Sequence, residues 1–147
     1  MRIMTLFLLF LGVILARPAN ADEINLGFGV GMGTYTVPVY IKGVGERPLT
    51  FDTGASYTIV DKKDVATLHL SPTQNASVYL PYEGKRLGAY FVIIPEMQIG
   101  NCHLHNRKVM VMDLPKGRPG ALGMNDLEEL APFTFTKAGR LQLTCPN

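Results

Sequence analysis

Apolar and polar residues alternate along several short stretches of this chain, which is the pattern of strands with one buried face. The clearest stretch is residues 34–42, where one face carries Tyr35, Val37, Val39 and Ile41. Pro38 lies on the other face and cannot donate a backbone hydrogen bond, so this strand is expected near a sheet edge. Residues 47–51 are expected to return as a second strand that ends at Asp52.

The rest of the chain continues this pattern of short strands. Further strands are predicted at residues 59–60, 76–80, 88–94, 97–99, 102–104, 108–112, 121–123, 133–135 and 141–143. Gly100-Asn101 is a strong two-residue hairpin signal. Two short helices are predicted at 62–68 and 126–131, with Asp61 and Asn125 as their N-caps. The predicted fold class is therefore mainly β.

Residues 1–21 have the pattern of a cleaved secretory signal. Met1-Arg2 is positive, residues 3–16 are almost uninterruptedly apolar, and Ala19-Asn20-Ala21 is a small-residue cleavage site. The apolar run is short for a membrane span, and an uncleaved N-terminal anchor is the alternative. No second apolar run approaches membrane length. The mature chain is therefore predicted to be periplasmic or secreted, without a membrane span.

The remaining residues have the size of one domain with one core. We divide them into a glycine-rich N-terminal lead-in at 22–33, either flexible or an edge strand, and a main domain at 34–147. A strand rather than a helix follows these glycines, which argues against a phosphate-binding loop. Loss of Arg2 and Arg17 with the signal takes the formal net charge from +2 to zero, so nucleic acid is not an expected partner.

The two cysteines, Cys102 and Cys145, would reach an oxidising compartment after export. An intramolecular disulfide would close a long loop and stabilise the fold by roughly 4 kcal/mol in the chain-entropy description. Free thiols and an intermolecular pair through Cys145 are the alternatives. The segment Cys102-His103-Leu104-His105 lacks further acidic or cysteine ligands at metal-binding spacing. It is interpreted as a polar hairpin, and neither a metal nor another cofactor is expected.

The segment Asp52-Thr53-Gly54-Ala55-Ser56 carries the main candidate chemistry. It follows the apolar stretch 48–51 and precedes the apolar pair Ile59-Val60. A carboxylate on a tight turn at the end of a strand is well placed to activate a water molecule. Later in the chain, Ala121-Leu122-Gly123 forms a second apolar-apolar-glycine strand, and Asn125 follows it.

Other candidate groups fit this chemistry less well. Asp113 has no glycine-based turn after it, and Asp126, Glu128 and Glu129 are interpreted as solvated residues in the first turns of a helix. Ser56 lacks the G-x-S-x-G setting of a hydrolase serine, and the histidines have no plausible nucleophile beside them.

This order of motifs resembles the retropepsin-like aspartic proteases, and in particular their bacterial secreted members. The resemblance covers roughly Tyr35 to Leu143. It implies a single-lobed acid-protease half-barrel with one or two short helices. It also implies a ψ-shaped loop in which the later strand, Ala121-Leu122-Gly123, passes beside the catalytic turn on the substrate side.

The resemblance assigns a role to each residue of the turn. Asp52 matches the catalytic aspartate, and Thr53 matches the residue whose hydroxyl locks two turns together across a dimer. Gly54 matches the residue that lets substrate approach. Ala55 and Ser56 complete the turn, and the Ser56 hydroxyl is expected to bond the outer oxygen of Asp52.

Two segments depart from the viral pattern of that family. The flap is expected at Tyr82, Glu83 and Gly84, with one glycine near its tip instead of several. Met124 occupies the position of an arginine that braces the dimer in viral members, so the bracing must differ here.

The chemistry of this family needs two carboxylates about 3 Å apart, which share one proton. One D-T-G triplet occurs in the sequence, so a two-fold homodimer is expected to pair Asp52 with Asp52 of the partner subunit. The predicted function is that of an aspartic endopeptidase, a hydrolase that cleaves peptide or protein substrates. The alternative is a non-catalytic peptide-binding or interaction module with the same fold, which a stable monomer would favour.

Overall fold

The computed structural model describes residues 21–29, 33–80 and 83–147. Residues 1–20 of the predicted signal and Tyr82 of the predicted flap lie outside the described residues. The strands are β1 (Ala21–Asn25), β2 (Gly27–Gly29), β3 (Thr34–Ile41), β4 (Gly45–Phe51), β5 (Ile59–Asp61), β6 (Gln74–Leu80), β7 (Lys85–Ile99), β8 (Cys102–Met112), β9 (Gly120–Leu122), β10 (Thr134–Phe135) and β11 (Arg140–Thr144). This content confirms the mainly β fold class.

Two short helices interrupt the strands, as the sequence predicts. They are α1 (Lys62–Val65) and α2 (Met124–Leu127), and each continues into a single 3₁₀ turn. The side chain of Asp61 accepts a hydrogen bond from Lys63 N at 3.1 Å, which confirms Asp61 as the N-cap of α1. No helix within the described ranges combines the length and apolarity that crossing a membrane requires.

The strands form two sheets. The larger sheet has the order β2-β3-β4-β9-β5-β8-β7-β6, and β3 also pairs with β7, so part of the sheet closes on itself. The smaller sheet has the order β1-β11-β10. Strand β2 and all of strand β1 except Ala21, the last residue of the predicted signal, belong to the segment predicted as a lead-in. That segment is therefore paired into both sheets, because β1 runs antiparallel to β11 and β2 antiparallel to β3.

The alternation in β3 produces the expected buried face. Val37, Val39 and Ile41 have no exposed surface and pack in the core. Tyr35 shares their face in the sequence pattern, yet 43% of its surface is exposed. Its ring lies 6.0 Å from the ring of Phe135, so this end of the strand leaves the core and contacts β10 instead.

Strand β3 is the second strand of the larger sheet, next to the terminal strand β2, so it lies near a sheet edge, as expected from Pro38. Residues 34–36 pair with β2, and Tyr40 and Ile41 pair with β7. Pro38 falls between these two pairings and faces Pro48 of β4 on its other side. The proline is accommodated because neither neighbouring pairing reaches it.

The predicted breaks within β7 and β8 are wrong. The two strands are 15 and 11 residues long. They keep one register from Ala89↔Met112 to Ile99↔Cys102, which skips Pro95 and Asn106. The strands continue because their pairing with each other restores the ladder on both sides of the interruption. The predicted hairpin at Gly100-Asn101 connects them.

The two cysteines form an intramolecular disulfide, with an S–S distance of 2.10 Å and a sequence separation of 43. The bridge connects the start of β8 to the residue after β11. The nearby Asp22 side chain accepts hydrogen bonds from Asn101 N at 2.6 Å and Asn101 Nδ2 at 3.2 Å. The two ends of the described chain are thus joined to the same hairpin.

Candidate active site

Strand β9 lies between the two strands that flank the Asp52 turn. It runs parallel to β4 from Leu49↔Gly120 to Phe51↔Leu122, and antiparallel to β5 at Ile59↔Ala121. This is the ψ arrangement that the sequence resemblance implies. Asp52 N donates to Leu122 O at 3.2 Å, so the turn begins where the β4–β9 pairing ends.

The backbone of the turn holds the Asp52 carboxylate. Gly54 N donates to Asp52 Oδ1 at 2.9 Å, and Ala55 N donates to Asp52 O at 3.3 Å. A Cβ atom on Gly54 would lie 3.2 Å from Asp52 Oδ1, so glycine keeps this approach open. Thr53 and Gly54 are exposed, and Asp52 is half-buried. The carboxylate is therefore oriented by the main chain while one side of the turn stays accessible.

The expected bond from the Ser56 hydroxyl to Asp52 is not found in the described part of the chain. Ser56 is exposed, and its carbonyl oxygen accepts from Asn125 N at 3.2 Å. Ala55 O accepts from Met124 N at 2.8 Å. The first N–H groups of α2, which have no partner inside the helix, are thus satisfied by the turn.

Gly123 allows the start of α2 to lie against the turn. A Cβ atom at this position would be 2.3 Å from Tyr57 C and 2.4 Å from Tyr57 O. No side chain fits at such a distance from backbone atoms. Of the two residues before it, Leu122 is fully buried, whereas Ala121 lines the groove beside Asp52.

The prediction that Asn125 is the N-cap of α2 is wrong. The N-cap is Gly123. The Asn125 side chain accepts from Thr58 N at 2.8 Å and donates to Lys108 O at 2.9 Å. It therefore joins the start of α2 to β8 and to the segment before β5.

A buried polar network lies behind the turn. Thr58 Oγ1 accepts from Gly123 N at 3.1 Å and donates to Asp126 Oδ2 at 2.5 Å. Arg107 Nε donates to Asp126 Oδ1 at 2.6 Å, and Arg107 Nη2 donates to Asn125 O at 2.7 Å. Thr58 and Asp126 have no exposed surface. Arg107 therefore links β8 to α2 within the subunit.

The interpretation of Asp126 as a solvated residue is wrong. Burial raises the pKa of its carboxyl, although the hydrogen bonds from Thr58 and Arg107 oppose this effect. Burial also acts to lower the pKa of Arg107, but the hydrogen bond and charge of Asp126 outweigh it and the pKa is raised. Sequence reasoning also missed Thr58 and Arg107. The available signal was a lone arginine within β8, a strand with several buried apolar residues.

A groove of about 370 Å³ opens beside Asp52. Its apolar walls come from the β6–β7 hairpin, from β5 and from the segment around the start of the β8–β9 loop; they are Ile59, Val78, Leu80, Leu87, Met112 and Leu114. Glu83, a predicted flap residue, also lines the groove. Gly84 is exposed with φ of 62°, and it forms the turn between β6 and β7 together with Glu83. The described part of the predicted flap therefore borders the same groove as Asp52.

The predicted polar hairpin at His103 and His105 lies at the surface. The two rings stack with centroids 6.3 Å apart, and His103 Nδ1 lies 3.0 Å from Glu96 Oε1. In the ranges that the structure describes, no group of three or more His, Cys, Asp or Glu side chains could hold a metal ion.

Comparisons with known proteins identify the family and the fold of this chain. The model of an aspartyl protease family matches residues 37–125, more than half of the chain, and the chain belongs to that family. No curated protein matches the chain.

Solved structures show the same fold. A crystal structure of a retropepsin-like aspartic protease from Rickettsia conorii has a TM-score of 0.60 and 22% identity, and the match covers 85% of this chain and 90% of that chain. The EIAV protease complexed with the inhibitor HBY-793 has a TM-score of 0.53 and 18% identity, and covers 65% and 86% respectively. The fold of this chain is therefore retropepsin-like.

Proposed function

We propose that this chain is an aspartic endopeptidase that acts as a homodimer. The observation that carries the proposal is the Asp52 turn. Its carboxylate is oriented by Gly54 N at 2.9 Å and faces a groove with apolar walls. The sequence supplies one such turn, so the second carboxylate comes from the partner subunit's Asp52.

The reaction follows from two carboxylates that share a proton. The ionised Asp52 takes a proton from a water molecule as the water oxygen bonds to the peptide carbon. The protonated Asp52 of the partner subunit donates its proton to the carbonyl oxygen. When the tetrahedral diol collapses and the C–N bond breaks, Asp52 gives the proton it took from water to the amine nitrogen, and the partner subunit's Asp52 takes back the proton of one diol hydroxyl. Thr53 is exposed on the turn, in keeping with the predicted contact of its hydroxyl across the dimer.

An aromatic patch beside the turn supports a two-fold interface. It consists of Tyr35, Phe51 and Phe135, and Phe51 directly precedes Asp52. The Phe51 and Phe135 rings meet edge to face at 4.7 Å, while Phe135 is 44% exposed. Exposed aromatic surface next to a site that needs a second copy is suited to binding that copy. Phe135→Glu is expected to give a folded monomer without peptidase activity.

The test compares Asp52→Asn with Asp113→Asn. Asp113 is an exposed aspartate that does not line the groove, so it is a matched control. Cleavage of an unfolded protein is followed by mass spectrometry, and the molar mass by light scattering. We expect Asp52→Asn to remain dimeric and to lose about 10³-fold or more in rate, whereas Asp113→Asn retains activity. Cleavage by Asp52→Asn at the wild-type rate, or cleavage by a monomer, would overturn the proposal.

The proposed location is the periplasm or the exterior of the cell. It rests on the signal pattern at residues 1–21 and on the Cys102–Cys145 disulfide, since disulfides persist in oxidising compartments. Fractionation of cells that express the full chain tests it. Recovery of the protein in the cytoplasm with residues 1–21 still attached would contradict it.

A further inference from the structure

A second cavity lies next to the Asp52 groove, and the carboxylates that line it are in ion pairs. It has a volume of about 420 Å³ and shares Arg118 with the groove. Arg47 Nε lies 2.9 Å from Asp64 Oδ1, and Lys63 Nζ lies 2.8 Å from Asp61 Oδ2. The two carboxylates that line this cavity are therefore each engaged by another cation.

Two of the three charged side chains that line the groove also have polar partners. Glu83 pairs with Lys85 at 2.6 Å, and Asp52 Oδ1 accepts from Gly54 N. Arg118 is exposed, and its backbone N–H donates to Pro115 O at 3.0 Å. Its guanidinium has no hydrogen bond or ion pair within residues 21–29, 33–80 and 83–147. Arg118 is thus the one charged side chain lining the groove in those ranges that has no polar partner.

We propose that Arg118 determines specificity by binding an Asp or Glu side chain of the peptide that occupies the Asp52 groove. A planar guanidinium binds a carboxylate through two parallel hydrogen bonds, and the apolar walls around Leu80 and Leu87 take a neighbouring apolar side chain. The preferred substrate class is therefore an extended peptide with mixed acidic and apolar residues. This inference rests on the proposed peptidase function.

The proposed dimer extends this preference to both sides of the cleaved bond. A two-fold axis through the pair of Asp52 residues places Arg118 and the partner subunit's Arg118 at equivalent positions in the two halves of the cleft. An acidic residue is therefore favoured at the same distance from the cleaved bond in either direction.

The test uses apolar peptides in which Glu or Gln is placed at each position around the cleaved bond. The measured quantity is the ratio of kcat/KM for the Glu peptide to that for its Gln isostere. We expect a ratio of about three to five at symmetric positions in the wild type, because the guanidinium is exposed. The ratio should approach one in 1 M salt, which screens exposed charges.

Three variants assign the effect to its residue. Arg118→Gln is expected to bring the ratio to about one, and Arg118→Glu is expected to lower it below one. Lys116→Gln, in the same loop but outside the groove lining, is the control and should keep the wild-type ratio. Wild-type ratios in both Arg118 variants, or loss of the preference in Lys116→Gln, would overturn the assignment.

A binding measurement separates this inference from the proposed function. The fluorescence anisotropy of the labelled Glu and Gln peptides is measured with Asp52→Asn, with and without Arg118→Gln. An Arg118-dependent preference in binding, without cleavage by the wild type, supports this inference and overturns the peptidase proposal. Cleavage by the wild type without any acidic preference overturns this inference and leaves the peptidase proposal standing. Absence of both binding and cleavage overturns both.

Discussion

Asp52 in the turn and Asp126 in the buried network behind it differ in their exposure and in their hydrogen-bond partners. Asp52 is half-buried at the groove, and a backbone N–H group orients its Oδ1. Asp126 has no exposed surface, and its two oxygens accept from Thr58 and Arg107. A carboxylate that activates water must keep an oxygen accessible, whereas one that supports a fold is held by donors on both oxygens. The surroundings of Asp52 therefore suit a reacting group, and those of Asp126 suit a residue that stabilises the fold.

This comparison leads to a simple expectation for variants. A change at Asp52 should remove activity and leave stability nearly unchanged. Changes in the support, formed by Thr58, Arg107, Gly123 and Asp126, should lower the free energy of unfolding, with activity falling as the folded fraction falls.

Gly123→Ala should have the largest effect on stability. The added Cβ would lie 2.3 Å from Tyr57 C, so α2 must move away from the turn. We expect a loss of more than about 4 kcal/mol in unfolding free energy, measured by urea denaturation. Gly88→Ala is the control, because a Cβ there meets no atom within 4 Å. Equal stability of the two variants would show that the close approach at Gly123 is unimportant.

Arg107→Met should follow, with a loss of about 3–5 kcal/mol, because it leaves the buried Asp126 without its cation. Arg140→Met serves as the control, because the Arg140 side chain is 53% exposed in its ion pair with Glu23 and its loss should cost less than about 1 kcal/mol. In the double variant Arg107→Met/Asp126→Asn, the loss should be smaller than the sum of the two single losses. Strict additivity would mean that the two residues act independently.

Thr58→Val removes a hydroxyl of nearly the same size as the methyl that replaces it. It leaves Gly123 N without its acceptor and Asp126 Oδ2 without a donor. We expect a loss of about 2 kcal/mol by urea denaturation, and recovery of most of it in Thr58→Ser. A neutral Thr58→Val would contradict the importance of this hydroxyl to the support.

The pH dependence of stability should distinguish the fully buried Asp126 carboxyl from the partly exposed Glu96 carboxyl. The pKa of Asp126 is raised above its usual 3.8, so its contribution is fully present below pH 3.8 and is lost as pH rises through the folded-state pKa. The stability of the wild type relative to Asp126→Asn should therefore be most favourable at low pH. Urea denaturation at a series of pH values measures this slope, and a difference that grows in favour of the wild type as pH rises would reverse the direction of the shift.

Glu96 provides the opposite slope and the smallest effect. Hydrogen bonds from Lys42 and then His103 lower its pKa below the usual 4.5. Its contribution is therefore present above pH 4.5 and is lost as pH falls through the lowered folded-state pKa. The wild type should lose its advantage over Glu96→Gln on acidification. The same slope for the Glu96 and Asp126 variants would remove the contrast between the two carboxyls.

Local signals were sufficient for part of this fold. The alternation in β3, the hairpin at Gly100-Asn101 and the cap at Asp61 each depend on a few neighbouring residues, and the structure contains all three. The continuous β7 and β8 strands could not be predicted in this way. Their continuity past Pro95 depends on the register with the partner strand, which the local sequence does not contain.

The candidate site also contains features that the local sequence could not predict. Its proximity to β9 was expected only from the family resemblance, because no local pattern brings Asp52 beside Leu122. The burial of Asp126 in α2 depends on Arg107, which lies 19 positions earlier in strand β8. Similarly, Asn125 has the residue type of an N-cap, but tertiary contacts with Thr58 determine its role.

The insertion of β9 between β4 and β5 also determines when the turn can form during synthesis. Ribosomes add about 5–20 residues per second, so Asp52 is made several seconds before Gly123 and Met124. Until those residues have emerged, Asp52 N lacks Leu122 O, and Ala55 O lacks Met124 N. A nascent chain therefore carries the aspartate without the supported turn, and the site is completed only when most of the protein has been made.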